Sequence, residues 1–340
     1  MVPLSVAGAE VDTSLSVERH TPIRNSVLLT MGEVQTALLQ SSSAISNEHA
    51  RALLDLIPGD QVTWRERPIP QAVSPPLLTG VDCPLPGRSG AQVRVVGTIS
   101  TRAGITQGHL VQAFARIGLR PGTAGRREPW SHYLAEPGVG ELLGGAKPAD
   151  LAGGFLADAT PGPTLDLAAV AARQLDRIQR APGLDRDPPF RVARTRLRWV
   201  FRPEAGRPRL RFVLAPSGVR LVELSGPADL AVALERLCVD LARHDWLLTG
   251  LTTVLDRAGI GRRPVPEILR SLRPAVDHLV HLWLPGLAGD LLKQLWEEFS
   301  SQSGMERQWQ TAVARVRDQL ALAAALALTH PPGATGSGDG

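Results

Sequence analysis

The sequence predicts an α+β protein: a β-rich N-terminal region with short helices, a three-stranded antiparallel meander, then a C-terminal helical bundle. Three observations predict it. Val93, Val95, Gly97 and Ile99 alternate with polar residues, the period of a half-buried strand. Three strand-like stretches between 191 and 226 are split by Glu-Ala-Gly and Ser-Gly turns. Beyond Gly226 the apolar spacing becomes three and four, the period of a helix, to about residue 328. These patterns divide the chain into a flexible N-terminus (1–24), an α+β region (25–190), the meander with its helical bundle (191–328) and a disordered tail (329–340).

The elements follow in order. Residues 26–40 fit a strand pair, or one strand running into a turn, closed by the serines at 41–43. Residues 48–57 predict a short helix with Leu53, Leu54 and Ile57 on one side. The proline-rich stretch 61–87 excludes a helix and suits short extended strands. Residues 91–117 predict a hairpin turning near Ala103–Gly104. Two glycine-containing runs, 138–145 and 149–157, are expected as short helices. Residues 164–181 predict a firmer helix, capped by Thr164, with Leu167, Val170, Ala171, Leu175 and Ile178 in a stripe. In the C-terminal part, Leu234, Leu237, Leu241, Leu248, Leu251 and Leu255 form one seam. Leu269, Leu272, Val276, Leu279 and Trp283 form a second, and Trp309, Val313, Val316 and Leu320, continued by Ala323 and Ala327, a third.

Composition narrows the function. The 340 residues carry a formal net charge of +4 and a pI near 9.8. Arginine accounts for the gap, since Lys147 and Lys293 are the only lysines and arginine does not deprotonate. Such a balance argues weakly for a nucleic-acid partner. Cys83 and Cys238 cannot build a disulfide framework or a cysteine zinc site. The N-terminus lacks the basic and apolar regions of a signal peptide, and the longest apolar run is too short for a membrane span. The expectation is a cytoplasmic protein with no membrane association.

One candidate surface is basic. Arg194, Arg196, Arg198 and Arg202 share one face of the first meander strand, and Arg209 and Arg211 extend it on the next. Guanidiniums in that array grip phosphates or an acidic protein surface. The interleaved aromatics Trp199, Phe201 and Phe212 point the other way, which counts against base stacking. The plainer reading is the solvated face of a half-buried sheet.

The second candidate is a histidine set. His244 fills the gap between Leu241 and Leu248 in the first seam, with Asp245 beside it. Asp277, His278 and His281 lie three and four residues apart on the flank of the second. Together these five could surround a divalent metal that activates water. No other cofactor is predicted. The plainer reading is a buried imidazole, bonded to an acid or a carbonyl, that orients helix packing. A thiol–imidazole pair of Cys83 with His132 is a weaker candidate, since nothing nearby in sequence lowers the thiol pKa. The glycine-rich pieces at 86–91 and 144–150 lack the order of a phosphate loop.

The segments at 66–86, 95–103, 130–139, 194–199, 244–249, 272–286 and 316–323 together resemble a conserved family from Streptomyces and related actinobacteria. The resemblance runs in order from about residue 26 to 325. It implies a gene cassette shared with a variant P-loop protein and a predicted SAM-dependent methyltransferase, hence protein partners from that cassette, and brings no catalytic residues. The sequence therefore predicts a non-enzymatic accessory protein, with a metal-dependent hydrolase as the alternative and a nucleic-acid-binding module as a third.

Overall fold

A computed structural model describes residues 27–66, 69–87, 93–122, 126–157, 163–285 and 290–329. The flexible segment expected at 1–24 thus lies wholly outside the described residues, and so does the tail expected at 329–340 apart from Thr329. The fold is mixed α and β, organised on one ten-stranded sheet. Its strands are β1 (Leu29–Leu38), β2 (Thr63–Arg65), β3 (Gln71–Val73), β4 (Leu77–Pro84), β5 (Arg94–Thr106), β6 (Leu110–Pro121), β7 (Val139–Leu143), β8 (Thr195–Pro203), β9 (Arg209–Leu214) and β10 (Arg220–Gly226). The order is β2-β3-β5-β7-β6-β1-β8-β10-β9, with β4 pairing β5 alongside β3.

β1 sits near the middle because all ten of its residues are buried and both its edges are paired, to β6 and to β8, antiparallel. One sheet therefore runs across the 190/191 boundary. The hairpin of β5 and β6 is present, but its turn lies at Gln107–His109, where Gln107 and Gly108 adopt positive φ. Ala103 and Gly104 are instead paired within the ladder. Beyond Ser100 and Arg116 the two strands fork, and β7 fills the gap, antiparallel to β5 and parallel to β6. The run at 138–145 is thus a strand, not a helix. Gly97 lies opposite Gly140 at the fork, where a Cβ would overlap the Val139 carbonyl oxygen.

The three strands expected at 191–226 all form, but not as a sequential meander. β10 inserts between β8 and β9, parallel to β8 and antiparallel to β9. The reason is competition for the interior position: β10 buries Val222 and Leu224 completely. The strand β9 follows Pro208 and exposes Arg209 and Arg211, features that suit an edge. The side-chain amide of Gln302 accepts from Phe212 N (2.8 Å) and donates to Leu210 O (2.9 Å), so a helix covers part of that edge.

Register divides the sheet into two faces. One carries Met31, Ala113, Ala115, Ile117, Val95 and Ile99 and is packed by α1 (Asn47–Leu54), α3 (Pro148–Phe155) and α4 (Leu167–Gln179). Asp166, not Thr164, caps α4, accepting from Ala169 N (3.0 Å). The other face carries Val34, Leu197, Trp199, Phe201, Val222 and Leu224 under α5 (Ala231–Ala258) and α7 (Asp290–Ser303). Gly32 leaves room there for the Trp199 indole, which a Cβ would overlap. A short helix α2 (Trp130–Leu134) rests on the same face over β5. Beyond the sheet, the second half of α5 packs with α6 (Val265–His278) and α8 (Met305–Thr329). The α5 seam is buried at Leu234, Leu237, Leu241, Leu251 and Leu255 as expected. In α6 the buried stripe is Ile268, Leu272 and Ala275, which leaves Val276 exposed, and a 3-10 turn follows at Val280–Leu282.

Candidate functional site

The basic face is built by β8 and β9 as alternation requires, yet its charges meet carboxylates inside the fold. Glu33, at the centre of β1 and fully buried, accepts from Arg196 Nε at 2.7 Å and Arg198 Nε at 3.1 Å. Arg198 is itself buried and donates to the carbonyls of Phe155 (2.9 Å) and Ala157 (3.0 Å), closing the end of α3. Arg194 pairs with Asp176 of α4 at 2.5 Å. Arg202 meets Glu204 (2.9 Å) and Glu223 (3.3 Å), and Arg211 lies 4.0 Å from Glu223. Arg209 and Arg211 remain outermost. Sequence reasoning missed Glu33, although a lone carboxylate in a strand with no other charge signals a buried ion pair.

The histidines separate into two places. His244 is fully buried in α5, with Trp283 and Trp296 meeting its ring edge-to-face at 4.9 and 4.7 Å between centroids. Its Nδ1 lies 2.8 Å from the Asp240 carbonyl, which makes Nδ1 the protonated nitrogen. Its Nε2 has no hydrogen bond of normal geometry among the described residues, although the Leu284 backbone lies close to the ring. Burial, then the nearby Arg243, holds its pKa down at about 3 against the backbone of Asp240 and Leu284, so the ring is neutral near pH 7. Asp245 is bonded to Arg220 Nε at 2.7 Å, and burial raises its pKa to about 6 against that guanidinium. Asp277 pairs with Arg273 at 3.3 Å near the surface.

His278 and His281 instead gather around His109 from the β5–β6 turn, at centroid distances of 4.7 and 6.0 Å. Burial first, then the two neighbouring imidazoles, brings the His109 pKa down to about 4. His281 is lowered by burial and by His278. His109 was not among the residues singled out from sequence; only the tertiary fold brings the turn to the end of α6. Among the described residues no group of three His, Cys, Asp or Glu side chains is arranged to hold a metal ion. The metal-dependent hydrolase reading is therefore not supported.

Cys83 and His132 do not pair. Cys83 aligns with Val95 and faces α1, α3 and α4, whereas His132 bonds Glu141, which aligns with Val96 on the opposite face. Burial, with Asp82 adding to it against Arg94, raises the Cys83 pKa, which disfavours a thiolate. His132 belongs to a different unit, which sequence spacing did not suggest. Buried Glu141 on β7 accepts from His132 Nε2 (2.8 Å) and from Arg120 Nη2 (2.6 Å), and Arg120 also pairs with Glu136. This cluster ties α2 to the fork of the sheet. A buried carboxylate fixing one imidazole nitrogen is an orienting device, and here it stands beside a shallow, solvent-facing helix.

Comparisons with protein-family models, with curated proteins and with solved structures each yield no match. No helix among the described residues is long and apolar enough to cross a membrane.

Proposed function

We propose that this chain is a non-enzymatic interaction protein working beside the products of the gene cassette that its resemblance implies. The observation that supports the reading is where exposed apolar side chains collect. Leu320, Leu322 and Leu326 are 45, 46 and 43% exposed on α8, beyond the buried Val316. A second group, Leu78, Trp130 and Leu134, surfaces where α2 crosses the sheet. Most other large apolar residues are packed into the three core clusters. Apolar groups gathered at the surface, rather than scattered, favour contact with another protein.

The test is co-expression with the cassette's P-loop protein and its methyltransferase in turn, followed by gel filtration. The expected result is one co-eluting complex that persists through dilution. Separate elution with both partners removes the reading.

A further inference from the structure

The outer margin of the sheet beside β5 differs from the margin at β9. β9 has Gln302 bonded to its open backbone, whereas among the described residues β4 pairs β5 alone. The direction of its backbone groups follows from the ladder. Leu85 N donates to Val93 O at 2.8 Å in the same register that aligns Cys83 with Val95 and Leu77 with Thr101. Residues at odd positions therefore turn their N–H and C=O toward β5, and those at even positions turn them outward. The outward direction is occupied at two places: Pro84 O accepts from Leu165 N at 2.9 Å, and Asp82 O from Arg94 Nη2 at 3.3 Å. At Leu78 and Gly80 no hydrogen bond engages the backbone among the described residues, and both residues are exposed. Two backbone donors and two acceptors are thus open among the described residues.

The flank of this edge has its own chemistry. The Trp130 ring lies over Gly80, 3.2 Å from where a Cβ would sit. Leu78 is on the same face two residues away, and Leu134 follows Trp130 by one helical turn. Arg94 and Arg127 both pair with Asp82, at 2.5 and 3.4 Å. Arg102, diagonal to Leu78 on β5, has no ion pair or hydrogen bond among the described residues. Arg94, Arg102 and Arg127 stand at the edge against Asp82, so the balance among these groups is basic.

We propose that the β4 edge at Leu78–Gly80 receives an extended, acidic segment of a partner protein as an added strand. Main-chain bonds to Leu78 and Gly80 hold the segment, one apolar side chain rests on Leu78 and Trp130, and carboxylates two residues to either side of it, on the same face, meet Arg102 and Arg127. A second copy of this chain is disfavoured at the same edge, because a two-fold axis there would set these arginines against their own copies. The inference rests on the interaction reading and specifies the surface and the partner's chemistry.

The probe is a labelled short peptide with Val or Ile at its centre, Asp or Glu two residues to either side and Thr between, titrated against the full chain by fluorescence anisotropy, with hydrogen exchange followed at β4. Leu78→Pro removes one outward donor and no ladder bond, which an edge position tolerates. The expected result is slowed exchange at Leu78 and Gly80 on binding, and affinity lowered about tenfold by Leu78→Pro and further by Arg102→Glu. Binding unchanged in both variants overturns the proposal, as does equal binding of a peptide with Lys in place of the acids. So does a dimer of the free chain that Leu78→Pro dissociates. In the co-elution assay, a complex undiminished by Leu78→Pro removes the edge and leaves the interaction reading. Absence of any complex with the unaltered chain, together with specific peptide binding, removes the cassette reading and leaves the edge.

Discussion

Replacing His244 with phenylalanine should make the protein more resistant to acid. The imidazole is enclosed by Trp283 and Trp296, and its pKa is depressed from 6.5 to about 3. In the unfolded chain it titrates near 6.5, so between pH 6.5 and 3 the unfolded state binds a proton that the folded state refuses. The stability this group contributes is present in full above pH 6.5 and is lost as pH falls. Each pH unit costs about 1.4 kcal/mol, so at pH 5 the loss reaches about 2 kcal/mol. His109, with a pKa of about 4, adds a loss of the same sign. Asp245, raised to about 6, acts oppositely, gaining stability as pH falls from 6 toward 4. Both are unchanged by the substitution and cancel in the difference. Phenylalanine keeps a ring between the two tryptophans and removes a buried Nε2 that makes no hydrogen bond of normal geometry among the described residues. At pH 7 the variant should therefore lie within about 1 kcal/mol of the unaltered protein. The assay is urea unfolding at pH 7 and pH 5 for both proteins, compared as a double difference. Stability curves that fall in parallel would refute a neutral, buried His244.

Other perturbations probe the sheet. Glu33→Gln leaves buried Arg198 without its carboxylate and should cost about 3–5 kcal/mol in chemical denaturation; a cost below 1 kcal/mol would show that the pair is not buried as described. Gly97→Ala places a methyl against the Val139 carbonyl and should cost at least about 1–3 kcal/mol, with faster amide exchange in β7 than in β1. Gln302→Ala uncovers Leu210 and Phe212 on the β9 edge. It should cost about 1–2 kcal/mol and raise the light-scattering signal on warming, since open edges template association.

How far the sequence reveals this architecture depends on whether the deciding contact is local. The α5 seam is legible because the spacing of Leu234, Leu237, Leu241 and Leu251 is a property of one helix, and the structure buries all four. Residues 138–145 are not, because Val139–Leu143 is a strand only by virtue of the fork between β5 and β6. The order of β8, β10 and β9 is likewise hidden: each strand alternates acceptably, and only competition for the interior position sends the arginine-bearing strand to the edge.

The arginine face carries the same distinction into function. Its period of two is visible in sequence and holds in the structure. What a basic row does depends on what it meets, and here Glu33 comes from a strand more than 160 residues earlier. The pairing of Arg196 and Arg198 with Glu33 joins the central strand to β8, and Arg198 secures the end of α3. Those guanidiniums act chiefly within the fold. Among the described residues the unpaired chemistry lies on the opposite face, at half-buried Arg102 and exposed Leu78 and Gly80. No single one of these is conspicuous in the sequence, because an open strand edge is a property of pairing and carries no residue signature.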